Sequence, residues 1–184
     1  MNEFAVTVAD FLIALRGVDP TGGPQAGAHS FHRGAPPVFY DDETRRAVAR
    51  LGERIPGDRA LAVWDAALAA HFAGPPVWFH GDVAWGNLLV ENGVLSAVID
   101  FGTSGVGDPA SDLAITWTFF TGESRETFRR AISVDEGTWA RGRGWTLWKA
   151  LIVLADQIDT DPDGAAENRR IIDDVIAEHE LVSR

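Results

Sequence analysis

Between residues 77 and 101 the chain changes its hydrophobic period, and that change constrains the fold more than any other feature. Val77-Trp78-Phe79 is a short β-type run, and Leu88-Leu89-Val90 and Val94 to Ile99 flank Glu91-Asn92-Gly93. Asn-Gly accepts positive φ at both central positions of a two-residue turn, so two apolar runs joined this way are expected to close as a hairpin. The segment reads as strand, loop, hairpin. On either side the period is helical. Phe4, Val8, Phe11, Leu12 and Leu15 predict a first helix stopped by Gly17 and Pro20. Residues 19–37 are rich in Gly and Pro and read as a long loop. Helices are expected at about 41–53, 58–72, 110–120, 124–132, 136–155 and 164–181. The 136–155 segment is apolar on most sides and reads as a core helix. These elements give an α+β class, mainly helical, with one small β element inserted at the middle of a single domain spanning 1–184.

Composition excludes several functions. The 184 residues contain no cysteine, which removes disulfides, thiolate-bound metals and a thiol nucleophile. A net charge of −11 argues against a binder of nucleic-acid backbones and would favour cationic ligands. No apolar run is long enough to span a membrane, and the acidic start Met1-Asn2-Glu3 does not read as a secretory signal, so a cytoplasmic protein without a membrane partner is expected. Lys149 is the single lysine among 16 basic residues.

The chemistry-bearing residues cluster around the β element. His80-Gly81-Asp82 and Asn87 precede the hairpin, and Ile99-Asp100-Phe101-Gly102 follows it. The hairpin should fold Asp100 back toward Asp82 and Asn87. Two carboxylates and an amide oxygen converging at strand ends suit Mg²⁺ held jointly with phosphates. A carboxylate left off the metal can accept a hydroxyl proton and orient a nucleophile.

The spacing His80-Gly81-Asp82-(four residues)-Asn87, then Asp100-Phe101-Gly102 and Gly107-Asp108-Pro109-Ala110-Ser111-Asp112-Leu113-Ala114, resembles the aminoglycoside phosphotransferase family. That family shares the protein-kinase-like fold, with its H-R-D-x-x-x-x-N and D-F-G patterns. The resemblance implies an ATP-dependent transfer of the γ-phosphate to a hydroxyl of a small, cationic molecule such as an aminoglycoside, and a link to antibiotic resistance. It implies that Asp82 is the catalytic base and that Asn87 and Asp100 hold Mg²⁺ with the ATP phosphates. It implies that His80 packs beneath the loop, and that Asp108 or Asp112 holds that loop through its backbone. Gly81 stands where many protein kinases carry an Arg that reads a phosphorylated loop, so no such switch is expected. Trp85 would either shape the substrate mouth or be a rim aromatic with no role. Acids of the helical lobe contact amines in that family, and residues 156–184 hold nine acids, most of which read as a solvated helix face, against three arginines.

Other signals are weaker. Gly102, Gly105 and Gly107 read as a flexible segment after Asp100, and His29-x-x-His32 as half a metal site in a loop without acids. The kinase-like fold also needs a β-rich lobe with an ATP-aligning lysine before the catalytic loop, whereas the 79 residues before His80 contain no lysine and read as helices. The chain is therefore expected to be the C-terminal lobe, with the β-rich N-terminal lobe absent, an exposed inter-lobe surface, and self-association through it. Three alternatives stand beside an aminoglycoside kinase. The chain could be a non-catalytic binding remnant of the fold, a kinase for a macrolide, choline, homoserine or another small alcohol, or a metal-dependent hydrolase.

Overall fold

Helical period and end signals place seven α-helices in the computed structural model, which describes residues 1–183. They are α1 (Asn2–Arg16), α2 (Asp41–Leu51), α3 (Gly57–Ala69), α4 (Ile115–Thr118), α5 (Gly122–Ile132), α6 (Glu136–Gln157) and α7 (Pro162–Val182). Aspartates cap the two longest: Asp135 accepts the Thr138 amide at 2.8 Å, and Asp161 accepts the Gly164 amide at 3.0 Å. The strands are β1 (Val77–Phe79), β2 (Leu88–Glu91), β3 (Val94–Val98) and β4 (Gly105–Gly107). β2 and β3 form the expected hairpin, with Asn92 at φ 53° and Gly93 at φ 81° in its turn.

The core is helical. α6 runs through its centre, against α3, α7 and the 3₁₀ segment Pro109–Ala114, while α1 packs on α5. Trp64, Trp117 and Trp139 are fully buried. Each indole N–H must find a partner there, and acidic side chains provide one. Trp64 donates to Asp41 at 2.7 Å, Trp117 to Glu178 at 2.7 Å, and Trp139 also to Glu178. Two arginines on α6 are buried as well: Arg141 against Asp108, and Arg143 beside Glu178. Removing either partner of such a pair strands a buried charge.

Four details differ from the sequence reading. α3 ends at Ala69 instead of reaching Phe72, because the Ala70 carbonyl accepts from Arg141 and the Phe72 ring lies under the same guanidinium at 5.4 Å. The stretch 110–120 is not one α-helix but the 3₁₀ segment followed by short α4. Three residues per turn align Pro109, Asp112 and Ile115, and all three are buried. Residues 105–107 are not a flexible tail but strand β4, antiparallel to β1 in the register Val77↔Gly107, Trp78↔Val106, Phe79↔Gly105. The 19–37 loop lies along the other edge of β4: Val106 donates to Pro24 at 2.8 Å, and Asp108 to Gly34 at 2.9 Å. A Cβ on Gly107 would collide with the Gly34 backbone, which is why glycine marks this strand. Finally, Lys149 is exposed in the middle of a helix whose neighbouring positions 141–148 and 150–151 are all buried.

Candidate functional site

The β1–β4 pair clamps both ends of the 80–104 segment, so the loop after β1 and the segment after β3 emerge side by side. His80 is fully buried and ties them together. Its Nε2 lies 3.0 Å from the Ile99 carbonyl, and its Nδ1 accepts the Asp82 amide at 3.2 Å. An accepting Nδ1 leaves the proton on Nε2, where it donates to Ile99. The Phe101 ring covers the imidazole at 4.6 Å.

Beneath the loop, Asp112 is buried and accepts two consecutive amides, Gly81 at 2.7 Å and His80 at 2.9 Å. Burial pushes its carboxyl up; the two amides and the nearby Arg16 guanidinium act in the opposite direction. Asp108 lies elsewhere, in a bidentate pair with Arg141 at 2.6 and 3.1 Å, and caps the Ala110 amide. Of the two aspartates, it is Asp112 that bonds the loop backbone. Gly81 has φ +84°, and a Cβ there would sit 2.7 Å from the Thr103 carbonyl. Both facts require glycine in this turn.

Asp82 stands half-buried above this base. Asn87 reaches back to it: Nδ2 donates to the Asp82 carbonyl at 2.9 Å and to its Oδ2 at 3.2 Å, which leaves the Asn87 Oδ1 available. The Ile99 amide donates to the Asn87 carbonyl at 2.9 Å, extending the hairpin ladder by one pair. Asp100, the next residue, therefore lies at the same hairpin end as Asn87. It is exposed and left-handed, at φ 64° and ψ 62°. No group of three or more His, Asp or Glu side chains could hold a metal among the described residues. The Asn87 Oδ1 and the Asp100 carboxylate are nonetheless hard oxygen donors free of mutual bonding, a set that fits Mg²⁺ completed by phosphate and water.

The loop opens onto a cavity of about 310 Å³ bounded by Asp82, Trp85, Trp145, Trp148 and Lys149. Sequence reasoning missed the contribution of α6 to this wall. The available signal was the spacing of Trp145 and Lys149, four residues apart and so on one helix face. The acids of 156–184 prove largely structural. Asp156 pairs with Arg50, Asp159 with Arg54, Glu167 with Arg170, Asp174 with Arg125 and Glu180 with Arg59. Nor do His29 and His32 form a metal pair: His29 bonds the Ser104 carbonyl, and His32 stacks on Phe39 at 3.5 Å.

The sequence matches the family model described as the phosphotransferase enzyme family (APH) over residues 2–145. The chain belongs to this phosphotransferase family. Solved structures share its fold. A thermostable mutant of aminoglycoside phosphotransferase APH(4)-Ia, in ternary complex with AMP-PNP and hygromycin B, superposes with a TM-score of 0.61 at 18% identity, over 96% of this chain and 65% of that one. Macrolide 2′-phosphotransferase MphH from Brachybacterium faecium gives 0.53 at 23% identity, over 96% of this chain and 60% of that one. The gentamicin complex of APH(2″)-IIa gives 0.55 at 18% identity, over 92% of this chain and 64% of that one. The chain thus spans less than two thirds of the length of these three structures. A comparison with curated proteins finds no match.

Proposed function

We propose that the chain carries the acceptor side of an ATP-dependent phosphotransferase that acts on a hydroxyl of a small molecule. One observation supports this above the others: the Asp82 carboxylate is held by Asn87 at the mouth of a ligand-sized cavity, with Asp100 at the same hairpin end. In this reading Asp82 accepts a hydrogen bond from the acceptor hydroxyl and points its oxygen at the γ-phosphorus. The acceptor oxygen bonds phosphorus as the bond to the β–γ bridging oxygen breaks, ADP leaves, and the hydroxyl proton passes to Asp82. Asn87 Oδ1 and the Asp100 carboxylate would hold Mg²⁺, which when bound supplies charge neutralisation on the phosphate oxygens. His80 and Asp112 hold the loop backbone, and positioning is the main resource of this chemistry. An acceptor that is cationic, as the sequence suggested, draws little support from the acids of 156–184, since most are tied to arginines.

The test is Mg²⁺-dependent transfer of phosphate from ATP to a panel of hydroxyl compounds. It is run with the 184-residue chain and with the longest open reading frame that contains it. Asp82→Asn is expected to lower transfer by about 10²- to 10⁴-fold, the usual contribution of a positioned base. Turnover that survives this change, in whichever form is active, would overturn the assignment.

A further inference from the structure

The cavity beside Asp82 has a composition that narrows its ligand. Three indoles, Trp85, Trp145 and Trp148, bound it. Trp148 is fixed in place: its N–H donates to Glu43 at 2.6 Å, and Tyr40 stacks on its ring at 3.9 Å. Trp85, by contrast, is 71% exposed and stands at the rim with its face free. Such a wall removes apolar ring surface from water.

The charges sort equally clearly. Lys149 and Arg33 line the cavity, and neither makes an ion pair among the described residues; Arg33 only lies over the Phe31 ring at 5.7 Å. The acids facing them are Asp82 and Glu167. Glu167 is already held by Arg170 through two bonds, at 2.6 and 3.0 Å. Asp82 receives the Asn87 amide and, in the proposed reaction, the acceptor hydroxyl. The charge left over for a ligand is therefore positive, despite a chain that is net −11. A molecule with several amines would bring like charges against Lys149 and Arg33 in a partly desolvated cleft, which is penalised.

We propose that the acceptor bound here is an amphipathic alcohol with an apolar ring and an anionic group, its ring against the tryptophans, its anion at Lys149 and its hydroxyl at Asp82. This rests on the phosphotransferase reading for the role of the hydroxyl, but the binding preference can be measured without any transfer. A ring compound of this kind suits a cavity of about 310 Å³, at the small end of ligand sites.

A matched pair of probes isolates the charge: para-hydroxyphenylpropionate and tyramine share a phenol and differ in carboxylate against amine, and kanamycin serves as the polycation. Binding to the chain is followed by ligand-observed NMR. The acid is expected to bind at least about tenfold more tightly than tyramine, the value of one good charged contact. Lys149→Met, at an exposed position that does not endanger folding, should bring the two phenols within about twofold of each other. Trp145→Phe should weaken both alike, since it removes indole surface from the wall and not the charge. Tyramine or kanamycin binding as tightly as the acid would overturn the proposal. So would a preference that survives Lys149→Met, or an acid that fails to bind at millimolar concentration. If the preference is present but no form of the protein transfers phosphate, the cavity assignment stands and the reaction reading falls.

Discussion

Asp112→Asn tests how the Asp82 loop is held. In the parent, both carboxylate oxygens accept backbone amides, Gly81 at 2.7 Å and His80 at 2.9 Å, on a side chain only 1% exposed. The asparagine keeps one acceptor and turns an NH₂ group toward the other amide. One charge-assisted bond is lost and one buried N–H is stranded, which costs about 1–3 kcal/mol; relief of a buried charge places the expectation near 2 kcal/mol. For a domain of this size about 2–4 °C of melting temperature accompanies each kcal/mol, so a fall of about 4–8 °C is expected. Asp82→Asn provides the contrast. It is half-buried and its amide can turn the remaining oxygen toward Asn87, so its stability should stay within about 0.5 kcal/mol of the parent. Thermal unfolding followed by circular dichroism gives the melting temperatures, and amide exchange at His80 and Gly81 reports the loop itself. If Asp112→Asn melts with the parent and leaves those two amides equally protected, the clamp argument is wrong.

Asp135 supplies a pH test. Its hydrogen bonds from Thr138 hold its carboxyl below the ordinary 3.8, so the folded state binds fewer protons than the unfolded one; the cap stabilises above that value and its contribution is lost as pH falls through the lower folded value. Asp135→Ala should therefore cost about 1 kcal/mol at neutral pH, and denaturant midpoints of parent and variant should converge in acid; a deficit that persists there counts against the cap. The second test concerns the hairpin and the turn after it, which expose Leu89, Val90, Val94, Ile99 and Phe101, apolar residues of the kind that drive association. Sedimentation velocity should show concentration-dependent self-association that Val94→Lys weakens, and an unaffected profile would place the contact elsewhere.

The period change at 77–101, the Asn92-Gly93 turn and the spacing of His80, Asp82, Asn87 and Asp100 were all legible in the chain, because each depends on residues near one another in sequence. Turn chemistry and hydrophobic period are local properties, and apart from the 110–120 stretch the helices followed from them even where the ends shifted by a few residues. The limits appeared where a distant partner decides the outcome. Gly105–Gly107 has no strand propensity of its own; it is a strand because β1 and the 19–37 loop pair with its two edges, and only glycine admits the Gly34 backbone. The 3₁₀ winding of Pro109–Ala114 likewise places Asp112 beneath two amides 31 and 32 residues away.

Charge was the property least determined by sequence alone. Nine acids in 156–184 left open a solvated face or a surface for cations, and their meaning depended on which arginines stood opposite, which come from α2, α3 and α5 as well as the chain between α2 and α3. Lys149 made the reverse case, a cation in an apolar helix that the packing of α6 leaves facing the cavity with Asp82. The sequence determined the helices and the hairpin with local signals of their own, and which residues could do chemistry. Only the tertiary structure decided which charges neutralise one another and which remain to meet a ligand, because Coulomb pairing depends on distance in space, and the order of residues along the chain does not contain it.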